Sequence, residues 1–97
     1  MRATIPSKWT RTIVVCSKCS KRVGGGFGPK KRASLAKALR EWLDQPRGRR
    51  ASVGIVESGC LKLCPKGRVV AFDAAQPNEW HLVKPGTAMK DVARALE

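Results

Sequence analysis

The chain has 97 residues, enough for one domain with a modest core, and its 42% hydrophobic content fits a folded protein rather than a disordered one. Twenty Lys and Arg against seven acidic residues give a net charge of +13, which points toward acidic proteins, nucleic acid or anionic surfaces and says little about fold. No apolar run reaches the roughly eighteen residues that span a bilayer, and Ile13-Val14-Val15 is too short for a secretory h-region. The expectation is therefore a cytoplasmic protein without a membrane span. Thiols are kept reduced in that compartment, so the four cysteines point to metal or redox chemistry before structural disulfides.

Residues 1–10 read as a mobile N-terminal extension and 11–97 as the single domain. Arg11 to Cys16 is rich in β-branched residues and predicts a short buried strand. Ser17 to Pro29 holds four glycines, at 24, 25, 26 and 28, and reads as a loop with Cys19 inside it. Ser34 suits a helix N-cap, and Leu35, Ala38, Leu39, Trp42 and Leu43 then recur at helical spacing up to about Asp44. Pro46 to Arg50 is a connection, and Ala51 to Glu57 a second strand. Ser58 to Gly67 carries the second cysteine pair. Arg68 to Phe72 predicts a third strand, Asp73 to Asn78 a turn, and Glu79 to Val83 a fourth strand. Pro85-Gly86-Thr87 leads into a C-terminal helix with Met89, Val92, Ala93 and Leu96 on one face.

This order, β-α-β, cysteine loop, β-β-α, predicts an α/β domain with two main helices. A right-handed parallel βαβ unit would be extended by an antiparallel hairpin into a mixed four-stranded sheet. Trp42 and Trp80, each on an amphipathic element, are expected in the core. Trp9 is less constrained, and His81 reads as an ordinary strand residue oriented opposite to Trp80.

Cys16, Cys19, Cys60 and Cys64 follow the spacing C-x2-C, forty residues, C-x3-C-P. Each pair comes directly after a predicted strand. If the two strands are parallel neighbours, both loops emerge at one end of the sheet and four thiolates can converge on one metal site. Thiolates are soft ligands for iron–sulfur clusters and for zinc alike. The glycine loop could bring backbone N–H groups close to sulfur, and Phe27, Leu61 and Leu63 could limit water. Lys18, Lys21, Arg22, Lys62 and Lys66 would offset the charge of an all-thiolate cluster and present a basic rim to an acidic redox partner.

The run Gly59-Cys60-Leu61-Lys62-Leu63-Cys64-Pro65 resembles the second cysteine motif of the thioredoxin-like [2Fe–2S] ferredoxins. The resemblance extends from Ile13 to about Leu96. It takes in the strand entering Cys16, the glycine-rich loop, the approach Val56-Glu57-Ser58-Gly59, the Cys64-Pro65-Lys66-Gly67 segment, the strand pair with Trp80, and Val83-Lys84-Pro85-Gly86. It implies a thioredoxin-like fold, one [2Fe–2S] cluster held by Cys16, Cys19, Cys60 and Cys64, and one-electron transfer rather than catalysis, in a family whose members are often homodimers.

The rival reading is a four-cysteine structural zinc site in a protein that binds nucleic acid through its basic surface, including Lys30-Lys31-Arg32 and Arg47-Gly48-Arg49-Arg50. A single histidine, His81, excludes Rieske ligation and the two-cysteine, two-histidine finger. Thiol–disulfide exchange asks for C-x2-C at a helix N-terminus, and the residues after Cys19 run into three glycines, which argues against it. Neither a P-loop ending nor Rossmann glycine spacing is present, and no Ser/His/Asp or Cys/His arrangement suggests an enzyme.

Overall fold

The computed structural model describes residues 3–45, 48–63 and 65–96. Cys64, Pro46 and Arg47 fall outside that set, so the expectations placed on them, a cluster ligand and part of a basic connection, lie outside the described residues.

Four strands form one mixed sheet: β1 (Arg11–Cys16), β2 (Val53–Ser58), β3 (Val69–Asp73) and β4 (His81–Val83), in the order β2-β1-β3-β4. β1 pairs parallel with β2 in a register that sets Cys16 against Ser58. β3 runs antiparallel to β1, and β4 antiparallel to β3. The ends of β1, β2 and β4 and the start of β3 therefore share one end of the sheet.

Strand alternation sends Ile13, Val15, Ile55, Val69, Ala71 and Val83 to one face, all of them buried. That face packs on α2 (Leu35–Trp42) and α3 (Met89–Ala95), which also touch each other. Leu35 and Leu39 from α2 and Leu96 just beyond α3 are fully enclosed, each contributing about 2 kcal/mol of transfer free energy. Ser34 caps α2 as its sequence suggests, its side chain accepting the Lys37 N–H at 3.3 Å. Arg11 ties the strand to the last helix by donating to the Leu96 carbonyl, and it also pairs with Asp73 at 3.5 Å.

Two expectations need correction. The segment after Cys16 is not loop throughout. Ser17–Val23 forms a helix, α1, so the described residues hold three α-helices rather than two. Its residues include neither Gly nor Pro, and the glycine run begins only at Gly24. That residue takes φ 70° and ends the helix by donating its N–H to the Ser20 carbonyl at 3.1 Å. Lys21 and Arg22 in the last turn suit the negative end of the helix dipole.

The second correction concerns the tryptophans. Trp42 is 53% exposed, because it is the final residue of α2 and leans over the rim formed by Gly28, Pro29 and Met89. Trp80 is 39% exposed. It precedes β4, stacks on Phe72 with ring centroids 5.8 Å apart, and donates its Nε1–H to the Pro77 carbonyl at 2.8 Å.

Trp9, by contrast, is held against the sheet. Its Nε1–H donates to the Gly48 carbonyl at 2.8 Å, next to the 3-10 turn Gly48–Arg50, and its ring lies directly over Gly54. Backbone bonds from Lys8 to Arg49 and from Thr10 to Ser52, both 2.7 Å, lay the chain along this edge.

Candidate metal centre

Cys16 is the last residue of β1 and the N-cap of α1, and Cys19 is the third residue of that helix. A strand passing straight into a helix brings residues three apart onto one side, so the C-x2-C pair is presented from regular structure. Both side chains are enclosed, at 0% and 2% exposure. Ser20 fixes the same junction, its hydroxyl donating to the Cys16 carbonyl at 3.0 Å.

The parallel register carries the second cysteine loop to the same place. The Ser17 hydroxyl donates to the Ser58 carbonyl at 2.6 Å. The Cys16 thiol faces the Gly59 carbonyl oxygen at 3.9 Å, and the Cys19 sulfur lies 3.8 Å from the Leu63 carbonyl oxygen. Backbone from 58 to 63 thus lies directly against the buried pair. Convergence of the two loops at one sheet end, expected from strand order, is what the structure contains.

Burial pushes the Cys16 thiol upward. The backbone N–H and thiol of Cys19, with the N–H groups of Leu61 and Lys18, outweigh it by stabilising the thiolate, so the group sits below its ordinary range. These donors come from α1 and the second loop. Around Gly26 the glycine-rich segment makes a backbone contact instead: its carbonyl accepts the Gly86 N–H at 2.7 Å. Phe27 is buried and Leu61 packs on the core, whereas Leu63 is 42% exposed.

Cys60 is placed differently. It is exposed on the second loop, and its sulfur accepts the Lys62 N–H at 3.3 Å. Lys62 reaches this position at φ 63°, in the left-handed region. Among the described residues no group of three His, Cys, Asp or Glu is gathered closely enough to hold a metal ion. The structure therefore assembles Cys16 with Cys19, brings the loop bearing Cys60 against them, and leaves the Cys60 side chain at the surface. Two buried sulfurs, one of them met by N–H groups, are half of the four-thiolate set that a [2Fe–2S] cluster or a structural zinc takes.

The helix at Ser17–Val23 also overturns the argument against thiol exchange, because C-x2-C does sit where a helix begins. The sequence signal for this helix is the seven-residue stretch free of Gly and Pro that precedes the glycines. Arg22 and Arg68, with Lys66, flank a groove beside Cys19, of which only Arg22 and Lys66 stood out in the sequence. Among the described residues no helix is long and apolar enough to cross a membrane. Comparison with protein-family models, with curated proteins and with solved structures returns no match.

Proposed function

We propose that the chain is a one-electron carrier that holds a [2Fe–2S] cluster on Cys16, Cys19, Cys60 and Cys64 in a thioredoxin-like domain. The observation that carries this reading is the meeting of two cysteine loops at one sheet end, with N–H groups from both directed at the Cys16 sulfur. The strand order, with β1 and β2 parallel and a following antiparallel pair, supports the thioredoxin-like part. Burial of Cys16 and Cys19 suits a cluster whose potential is set by a low dielectric and by hydrogen bonds to sulfur. Exposed Lys18, Lys21, Arg22, Lys62 and Lys66 supply the charge that an all-thiolate centre, about −2 when oxidised, would draw on. The same cations favour an acidic protein as electron partner.

One observation favours a second reading, dithiol–disulfide exchange through Cys16 and Cys19: the pair spans a strand-to-helix junction, and N–H groups lower the Cys16 thiol. Against it, an attacking sulfur must be reached by the disulfide, and Cys16 is fully enclosed. Such chemistry has no use for the second cysteine loop.

The test is the visible spectrum of anaerobically purified protein, with iron, zinc and acid-labile sulfide measured on the same sample. A brown protein with about two irons and two sulfides per chain, bleached by reductant, is the expected result. About one zinc per chain without colour would replace this reading with a structural zinc site and a nucleic-acid partner. A metal-free protein that stays colourless through reconstitution, while reducing a model disulfide, would favour exchange.

A further inference from the structure

A groove of about 570 Å³ opens beside Cys19, between α1 and the segment that leads into β3. Its volume lies within the range of small-ligand sites. Val23, Pro65 and Pro85, each half-buried, give it apolar walls, and the buried Cys19 forms part of them. Arg22, Lys66 and Arg68 line it as exposed cations, and no acidic residue does. None of these three cations makes an ion pair among the described residues, whereas Arg11 does.

Three like charges around one concavity repel one another, and apolar walls focus their field into the opening. The arrangement comes from separate elements: Arg22 from the last turn of α1, Lys66 and Arg68 from a turn in which the Arg68 N–H donates to the Pro65 carbonyl at 3.4 Å. A ligand that joins them must carry several negative groups close together.

We infer that this groove binds a small polyanion, a compound with two or more phosphate or carboxylate groups on a short frame. The groove borders the proposed cluster, because Cys19 lines both, but its cations and apolar walls come from residues that would ligate no iron. Two acid groups engage the guanidinium forks of Arg22 and Arg68, and Lys66 adds a point charge.

Titration calorimetry and amide NMR on the protein as purified, at about 0.15 M salt, test this with inorganic pyrophosphate and citrate as separate probes. The expected result is one saturable site for at least one probe, the better one identifying phosphate or carboxylate. Shifts should concentrate on residues 19–23 and 66–68. Arg22→Ala and Arg68→Ala should each weaken binding about tenfold, with Arg22→Lys intermediate. As controls, Arg49→Ala and Arg50→Ala each remove the same single charge just before β2, at the opposite end of the sheet, and each should cost less than about twofold.

Absence of saturation by both probes overturns the inference. So does equal weakening by the controls, which would reduce the effect to net charge. Tighter binding of a hexaglutamate peptide than of either probe would make the groove a protein-docking surface instead. Visible absorbance recorded on the same samples separates the two proposals: binding without colour removes only the cluster, and colour without binding removes only the groove ligand.

Discussion

A methyl group added at Gly54 would collide with Trp9. An ideal Cβ there lies 2.3 Å from two ring carbons of Trp9 and 2.5 Å from a third, far inside van der Waals contact. Gly54 is not among the glycines with positive φ, so Gly54→Ala imposes no backbone strain and tests this contact alone. The ring can move away only by breaking its bond to the Gly48 carbonyl, worth about 1 kcal/mol, and by giving up the burial it provides on Gly54. Together with residual crowding this comes to about 2 kcal/mol, within the usual cost of overpacking. With a urea m-value of about 1.5 kcal/mol/M the midpoint should fall by about 1.3 M with m unchanged. Equilibrium unfolding of the reduced protein, followed by far-UV circular dichroism, measures it. In a Trp9→Ala background the space is vacated, and Gly54→Ala should then cost less than about 0.5 kcal/mol. An equal cost in both backgrounds would refute the reasoning, because the penalty would not come from the ring.

Gly24→Ala should destabilise by about 1 kcal/mol through the left-handed φ alone, since a Cβ there meets nothing within 4 Å, and the loss should be unaffected by Trp9→Ala. For Cys16 the sign follows from its lowered folded pKa. In reduced, metal-free protein the stability it contributes is complete above the unfolded thiol value, about 8.5, and is lost as pH falls through the folded value. Denaturation midpoints of wild type and Cys16→Ser, measured from neutral pH to above 9, should therefore diverge in favour of wild type as pH rises. A constant gap would contradict the hydrogen-bonded thiolate.

The four strands of a mixed sheet and the shared end of the two cysteine segments were legible because β-branched runs mark strands and each cysteine pair directly follows one. Strand edges moved by one or two residues, which periodicity does not define. What stayed hidden was decided by tertiary contact. Trp42 fits the apolar stripe of its helix as well as Leu39 does, yet it ends the helix at the rim of the core and stays exposed. Trp9 sits in a polar stretch with no period, and only a glycine on β2, remote in sequence, gives its ring a seat. The α1 helix was obscured differently: four glycines between 24 and 28 lowered the helical character of the whole segment, although they act only from its C-cap onward.

The two ends of the cysteine constellation differ in how firmly the backbone holds them. Cys16 and Cys19 are fixed by a six-residue strand and the helix it enters, with Ser20 bonding across the junction and Ser17 to the end of β2, so their sulfurs are positioned before any ligand arrives. Cys60 stands on an exposed segment where Lys62 occupies a left-handed conformation that costs a side chain about 1 kcal/mol. The Lys62 N–H bond to the Cys60 sulfur and the Leu61 N–H bond to Cys16 accompany that conformation. Local strain in this loop is thus coupled to the donation of two N–H groups to two different sulfurs. In the proposed centre, the first cysteine pair sets the location, and most of the ordering cost falls on the second loop.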